Sequence, residues 1–241
     1  MLIARRKDRL DQLAQDLRSA FGARVEVMES DLALERDTAA VAERLAAEGQ
    51  LALLVNNAGF GTKGLFWKAP LEGQEAMHRV HVMATVRLTH AAMRGMVARG
   101  RGAVINVASI ASFARSPGNV SYCATKSWMA TFTEALHLEL LATGSKVKVQ
   151  ALCPGYTYSE FHDRLGVNRA ALGGPSLLLT AERVVDASLA GLERGKLFVV
   201  PGWQYRFIAA VMPKLPVRLR VFVERKVTRS RYEQLVRQAG G

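Results

Sequence analysis

Tyr122 and Lys126 stand four residues apart in Tyr122-Cys-Ala-Thr-Lys126. On a helix that spacing puts both side chains on one face, one turn from each other. Ser109 lies thirteen residues before the tyrosine, and its hydroxyl would complete a set of groups able to polarise and protonate a carbonyl. A free phenol, with a pKa of ~10, is a poor proton donor or acceptor at neutral pH. An ammonium one turn away favours the phenolate, so the pair predicts a lowered tyrosine pKa. Tyr122 would then be the acid toward a carbonyl or the base toward an alcohol. Ser109 would donate a hydrogen bond to the substrate oxygen as charge develops there. The plainer alternatives are a solvated helix face for the pair and a strand-end hydroxyl satisfying backbone for Ser109.

Such a set needs a scaffold, and the chain alternates short apolar runs with longer segments of helical period, the pattern of βαβ units around a parallel sheet. Leu10, Leu13, Leu17 and Phe21 predict an amphipathic helix over 9–21. Residues 25–28 read as a strand followed by a turn at Ser30-Asp31, and 38–48 as a helix with Gly49 where a C-terminal cap belongs. Leu51 to Val55 reads as a strand covered on both faces. A long helix over about 71–98 is expected to break in its middle. Residues 103–108 form a strand ending at Ser109, 122–142 a helix closed by Gly144, and 146–153 a strand running into Pro154-Gly155. Residues 157–179 look irregular, Thr180 caps a further helix, and 197–200 is a last strand.

Four motifs then occur in order: Asn56-Asn57-Ala58-Gly59 after an apolar strand, Asn106-Val-Ala-Ser109 ending another, Tyr122-x-x-x-Lys126 opening a helix, and Pro154-Gly155 after a third strand. In that combination the chain resembles a short-chain dehydrogenase/reductase from Met1 to about Trp203. The resemblance implies an α/β, Rossmann-like doubly wound parallel sheet with helices on both faces, in a single domain over 1–241. It implies an NAD(P)-dependent oxidoreductase that moves hydride between a nicotinamide and a small-molecule carbonyl or secondary alcohol, commonly as a homo-oligomer. Ser109, Tyr122 and Lys126 would be catalytic, with Lys126 also on the nicotinamide ribose. The cofactor would lie along Arg5, Arg6, Asp31, Leu32, Asn57, Ala58, Gly59, Tyr122, Lys126, Pro154, Gly155 and Thr157. Asp31 matches the position that contacts adenine, although an Asx turn would also account for it. Arg5 and Arg6 follow the presumed second strand, where arginine accommodates a 2′-phosphate and an acid would be needed for NAD, so NADP is favoured.

Two departures stand out. The resemblance implies an asparagine in the long helix, holding a water that links the lysine to solvent; the matching position here is His81, which can donate, accept and shuttle protons and joins the catalytic candidates. His78 and His81 lack a third ligand nearby, so no metal is expected. The resemblance also implies a first βα unit with a glycine-rich loop that cradles the pyrophosphate, and none stands before the motifs. A strand order without that unit leaves a gap in the middle of the sheet. A start assigned too late, a product that no longer binds cofactor, and an assembly that supplies the strand from elsewhere are the three explanations. The alternative function is a catalytically silent relative acting as an interaction or membrane-surface protein.

Net charge is +12, and it is unevenly placed. From Trp203 onward nine Lys/Arg face two Glu, interleaved with Phe207, Ile208, Leu219, Val221 and Phe222. That segment suits an anionic membrane surface, a cover over the substrate cleft, a subunit contact or a solvated helix pair, and a nucleic-acid patch less well, since no base-reading motif accompanies it. Two cysteines, Cys123 and Cys153, make no disulfide framework and are expected as buried thiols. No secretory leader or spanning apolar run is evident, and a cytoplasmic location is the expectation. Residues 113–119 and 157–179 are expected to shape the substrate pocket without naming a ligand.

Overall fold

The computed structural model describes residues 1–62, 64–158, 178–229 and 233. The first pair of strands, β1 (Leu2–Ala4) and β2 (Val27–Glu29), is joined by helix α1 (Lys7–Phe21). Helix α2 (Glu35–Ala46) leads to β3 (Leu53–Asn56), and α3 (Leu71–His78) passes through a π-helical turn at Arg79–Ala84 into α4 (Thr85–Arg99). Next come β4 (Ala103–Val107), a 3-10 turn at Ile110–Ser112, α5 (Val120–Ala142), β5 (Lys148–Leu152), α6 (Ala181–Glu193) and β6 (Phe198–Val199). The chain then runs into α7 (Trp203–Val211), a 3-10 turn at Met212–Lys214 and α8 (Val217–Val227).

All strand pairs are parallel, with β1 beside β2 and a separate four-stranded sheet in the order β3-β4-β5-β6. No described strand pairs β1 with β3, so the sheet divides where a doubly wound fold has its middle. One consequence corrects the sequence reading of residues 51–55 as covered on both faces: Leu53 and Val55 are 37 % and 47 % exposed, because nothing described here packs over that side of β3.

Helices cover both faces of the larger sheet. Val41 and Leu45 of α2, Leu88, Ala92 and Met96 of α4 and Leu140 of α5 pack with Leu54, Val104 and Val149. On the other side Val184 of α6 and Tyr205 of α7 pack with Ile105, Leu152 and Val199. The helix expected over 38–48 starts earlier, at Glu35, and ends on Ala47 in an ordinary right-handed conformation, so Gly49 is not its cap. Gly144 does close α5, with φ +65°, and the Thr180 hydroxyl accepts from the Arg183 N–H at the start of α6. The expected break in the long helix is the π turn.

A buried polar ladder pins these layers together. Asn56 donates to the Thr89 hydroxyl (3.0 Å) and the Asn106 carbonyl oxygen (2.8 Å), while Asn106 donates to the Thr133 hydroxyl (2.9 Å). Each group is satisfied, which is the condition under which a buried polar network specifies one register instead of costing stability.

Candidate active site

Parallel strands present their C-terminal ends along one edge, where the crevice of an open α/β sheet receives ligands. At that edge β4 ends on Val107, and Ser109 follows in extended backbone, φ −170° and ψ 162°. Its hydroxyl accepts from the Ala111 N–H at 3.1 Å, which caps the 3-10 turn, and also hydrogen-bonds the Tyr122 hydroxyl. The plain role and the chemical one therefore coexist in one side chain. Helix α5 begins at Val120, so Tyr122 and Lys126 occupy its first turns. Lys126 is 5 % exposed and donates to the Val107 carbonyl at 2.6 Å. Its ammonium lies 6.0 Å from the centre of the Tyr122 ring.

The electrostatics differ from the sequence expectation. The Tyr122 ring is partly exposed but its hydroxyl is enclosed, and burial pushes it up to about 12, opposed by the Ser109 hydrogen bond. Lys126 does not lower it, because the ammonium is turned onto the end of β4. Burial instead brings Lys126 itself down to about 8. The resting site thus holds a firmly protonated phenol beside a lysine that is easily discharged. Cys153 is fully buried and its thiol is pushed up to about 12 by burial; Cys123 is buried too.

The remaining candidates distribute along the same edge. Arg5 and Arg6 follow β1, and Asp31 and Leu32 follow β2, the strand beside it. Asp31 forms the Asx turn, accepting from the Ala33 N–H at 2.9 Å, while its other oxygen faces Arg5 at 3.8 Å. Leu32 is partly buried against the main core. Asn57, Ala58 and Gly59 are exposed at the end of β3. A Cβ on Gly59 would come 2.7 Å from His81 Nε2 and 3.5 Å from Lys126 Nζ, so only glycine leaves room there. His81 is fully buried, accepts from the Phe60 N–H at 3.2 Å, and pairs with the Thr125 hydroxyl at 2.8 Å.

Pro154 gives its carbonyl to the Ile110 N–H (2.9 Å), and the Thr157 hydroxyl donates to the Gly155 carbonyl (3.1 Å). Gly155 lies under the Tyr205 ring: a Cβ there would stand 2.1 Å from it. Of the expected pocket segments, 159–177 lie outside the described residues. Phe113 packs edge-on against Phe198 at 6.1 Å, and Arg115 N–H donates to Glu224 of α8 at 2.7 Å. That contact draws the C-terminal segment toward the site.

Three participants were not found from sequence. Thr125 joins His81 to the Tyr122 carbonyl; a polar residue on the buried face between tyrosine and lysine was the available signal. Tyr205 accepts from the Tyr156 N–H at 3.1 Å, and its only mark was an aromatic at the start of the basic segment. The Val107 carbonyl that holds Lys126 has no side-chain signature at all.

The arrangement fits a dinucleotide at both ends. Exposed Arg5 offers a cation suited to a phosphate beside the ends of β1 and β2. Near Tyr122, the side-chain-free face of Gly59 lies beside the Lys126 ammonium.

A family model described as short chain dehydrogenase matches residues 1–169. Nodulation protein G of Rhizobium meliloti is 31 % identical over 159 residues, a match spanning 66 % of this chain and 62 % of that protein, under two-thirds of its length. The 7beta-hydroxysteroid dehydrogenase of Collinsella aerofaciens is 31 % identical over 209 residues, 84 % of this chain and 76 % of that protein. Among solved structures, a short-chain dehydrogenase from Sphingobium yanoikuyae in complex with NADPH superposes with a TM-score of 0.78 at 33 % identity, covering 90 % of this chain and 86 % of the other.

Proposed function

The chain belongs to the short-chain dehydrogenase family, and from that premise we propose that it is an NAD(P)-dependent oxidoreductase acting on a small-molecule carbonyl or secondary alcohol. The observation that carries this reading is the Ser109–Tyr122 hydroxyl pair with buried Lys126 one turn away, at the C-terminal edge of the sheet. When bound, the dinucleotide supplies or takes up the hydride. In the reducing direction Tyr122 gives its proton to the substrate oxygen, and Ser109 donates a hydrogen bond to the same atom. Lys126 holds positive charge beside the phenol as the proton leaves. Arg5, Arg6, Asp31, Leu32, Asn57, Ala58, Gly59, Lys126, Pro154, Gly155 and Thr157 form the cofactor's bed. NADP is preferred over NAD because Arg5 and Arg6, and no acid, stand directly after β1; the NADPH complex of the Sphingobium protein supports that preference.

Titration of the 241-residue chain with NADPH, followed by nicotinamide fluorescence, tests the reading. Saturable binding is expected, tighter than for NADH, and with it reduction of a panel of ketones that Tyr122→Phe abolishes. Absence of any saturable signal would leave this form as the silent, surface-binding relative.

We also infer two surface contacts. Helix α8 buries none of its residues and exposes Val217, Phe222 and Val227 beside Arg218, Arg225 and Lys226, a combination suited to peripheral contact with an anionic membrane. Among the described residues no helix is long and apolar enough to cross one. Helices α4 and α5 expose Val86, Val97, Leu138 and Leu141, a surface for pairing with a second copy. Sedimentation with phosphatidylglycerol against phosphatidylcholine vesicles tests the first, and sedimentation velocity the second.

A further inference from the structure

We propose that His81 is a positioning residue, a neutral imidazole protonated at Nδ1 that ties the Gly59–Phe60 turn after β3 to helix α5 around Lys126, and does not carry protons. The assignment follows from the hydrogen bonds alone. The Phe60 N–H can only donate, so Nε2, 3.2 Å away, must accept and carries no hydrogen. A neutral imidazole then bears its proton on Nδ1, which donates to the Thr125 hydroxyl at 2.8 Å. Thr125 has one hydroxyl hydrogen, and it goes to the Tyr122 carbonyl at 3.2 Å. The chain of donors is complete, with no site left for a second imidazole proton: an imidazolium would point an N–H at the Phe60 N–H.

The surroundings act in the same direction. His81 is fully buried. The charged or titratable groups that face it are Lys126 and Tyr122 of α5 and His78 of α3, with the Tyr122 ring edge-on at 6.0 Å. Burial first, then the Lys126 ammonium and His78, hold the imidazole down to about 2. A group in that state stays uncharged at neutral pH. What it can do is set a distance. Through Phe60 it fixes the turn carrying Gly59, and through Thr125 it fixes the first turn of α5, so the space beside Lys126 Nζ is bounded from two elements by one ring. The absent Cβ of Gly59 belongs to the same device, since a methyl there would meet Nε2 at 2.7 Å.

The inference rests on the proposed function only for its kinetic arm. The direct measurement is nitrogen-15 NMR of the chain labelled at its five histidines, over pH 5 to 9, with His81 assigned by its loss in His81→Gln. One ring is expected with a proton on Nδ1 and an unprotonated Nε2, both unchanging across the range. Titration of His81 in that window, or a proton on Nε2, overturns the proposal. For kinetics, His81→Gln can still accept at Oε1 and donate at Nε2, whereas His81→Leu can do neither. The glutamine variant is expected to keep kcat within about threefold and the leucine variant to lose about tenfold or more, with neither shifting a limb of the pH profile. Equal loss in both with a displaced limb would mark a proton carrier and sink the idea. Should His81→Leu not fold, Thr125→Val removes the Nδ1 acceptor together with that hydroxyl's bond to the Tyr122 carbonyl; it is expected to cost kcat about tenfold with a matching change in the His81 Nδ1 signal, and an unaltered kcat or an unaltered Nδ1 signal would count against the proposal. If no carbonyl is reduced by any form, the oxidoreductase reading fails while the NMR result still decides the role of His81.

Discussion

Lys126 concentrates the electrostatic tension of the site. Its folded value is about 8 against an ordinary 10.5, because burial penalises the ammonium. Tyr122 lies at about 12, so in carbonyl reduction the phenol stays protonated well above neutral while the lysine does not. The basic limb of kcat/KM is therefore expected near pH 8 and belongs to Lys126; Lys126→Arg, which holds its charge, should move that limb upward by more than one unit. Stability has the matching sign. Between pH 8 and 10.5 the unfolded chain binds more protons at this lysine than the folded one, so its contribution rises with pH and is least favourable below 8. Lys126→Met should accordingly stabilise the cofactor-free protein at pH 7, by an amount of order 3 kcal/mol from a shift of this size, while abolishing reduction. In paired thermal melts that advantage should shrink from pH 8 to pH 10. The identities of Ser109, Tyr122 and Lys126 were legible in the sequence because type and spacing are local properties. The direction of the Tyr122 shift was not, since it depends on enclosure by groups distant in sequence and on where the ammonium turns.

Elements hold the site through polar contacts that a periodicity pattern does not encode. Asn56 and Asn106 are adjacent in register across β3 and β4 and share a hydrogen bond, with threonines of α4 and α5 completing the ladder. Asn106→Leu would leave one N–H of the Asn56 amide unpaired in the interior, its other bond to Thr89 remaining, and would take from the Thr133 hydroxyl its donor while sparing its bond to the Met129 carbonyl, at a cost of about 1–3 kcal/mol; urea melts should register it, whereas exposed Asn57→Ala should change stability by less than about 0.5 kcal/mol. The asparagines themselves stood out in the sequence, but their partners Thr89 and Thr133 did not, because each looks like an ordinary residue of an apolar helix. A second element-level test concerns Gly155. Gly155→Ala is expected to destabilise strongly, since its methyl would overlap the Tyr205 ring, and the double variant Gly155→Ala, Tyr205→Ala should lose less than the sum of the two single changes. Strict additivity would mean that the ring and the glycine do not meet.

At the scale of the molecule, the division of the sheet governs how stability is shared. Among the described residues, strands β1 and β2 pair only with each other, whereas β4 is flanked on both sides. Amide hydrogen exchange should follow that difference: protection at residues 2–4 and 27–29 is expected at least about tenfold below that at 103–107 and 148–152, because the smaller pair can open without the larger sheet. Equal protection would indicate one cooperative unit. The half-exposed Leu53 and Val55 also make β3 an open apolar edge, which invites self-association. Leu53→Lys should slow aggregation on heating without lowering the melting temperature. The parallel α/β class was readable from alternating apolar runs, and the gap in the sheet from the order of motifs that carries the family resemblance. The exposure of β3 was not, because an apolar run reads the same whether or not a neighbour covers it.

The meeting of Tyr205 with Gly155 has an evolutionary meaning as well. Two positions fifty residues apart meet in one volume, so position 155 cannot gain a side chain while the ring at 205 remains. A lineage that acquires any side chain at 155 must first shrink the ring at 205, and one that shortens the chain before α7 leaves the Tyr156 N–H without its phenolic acceptor. The C-terminal segment is thus inherited together with the loop it covers, and the order in which the two may change is set by a single steric contact.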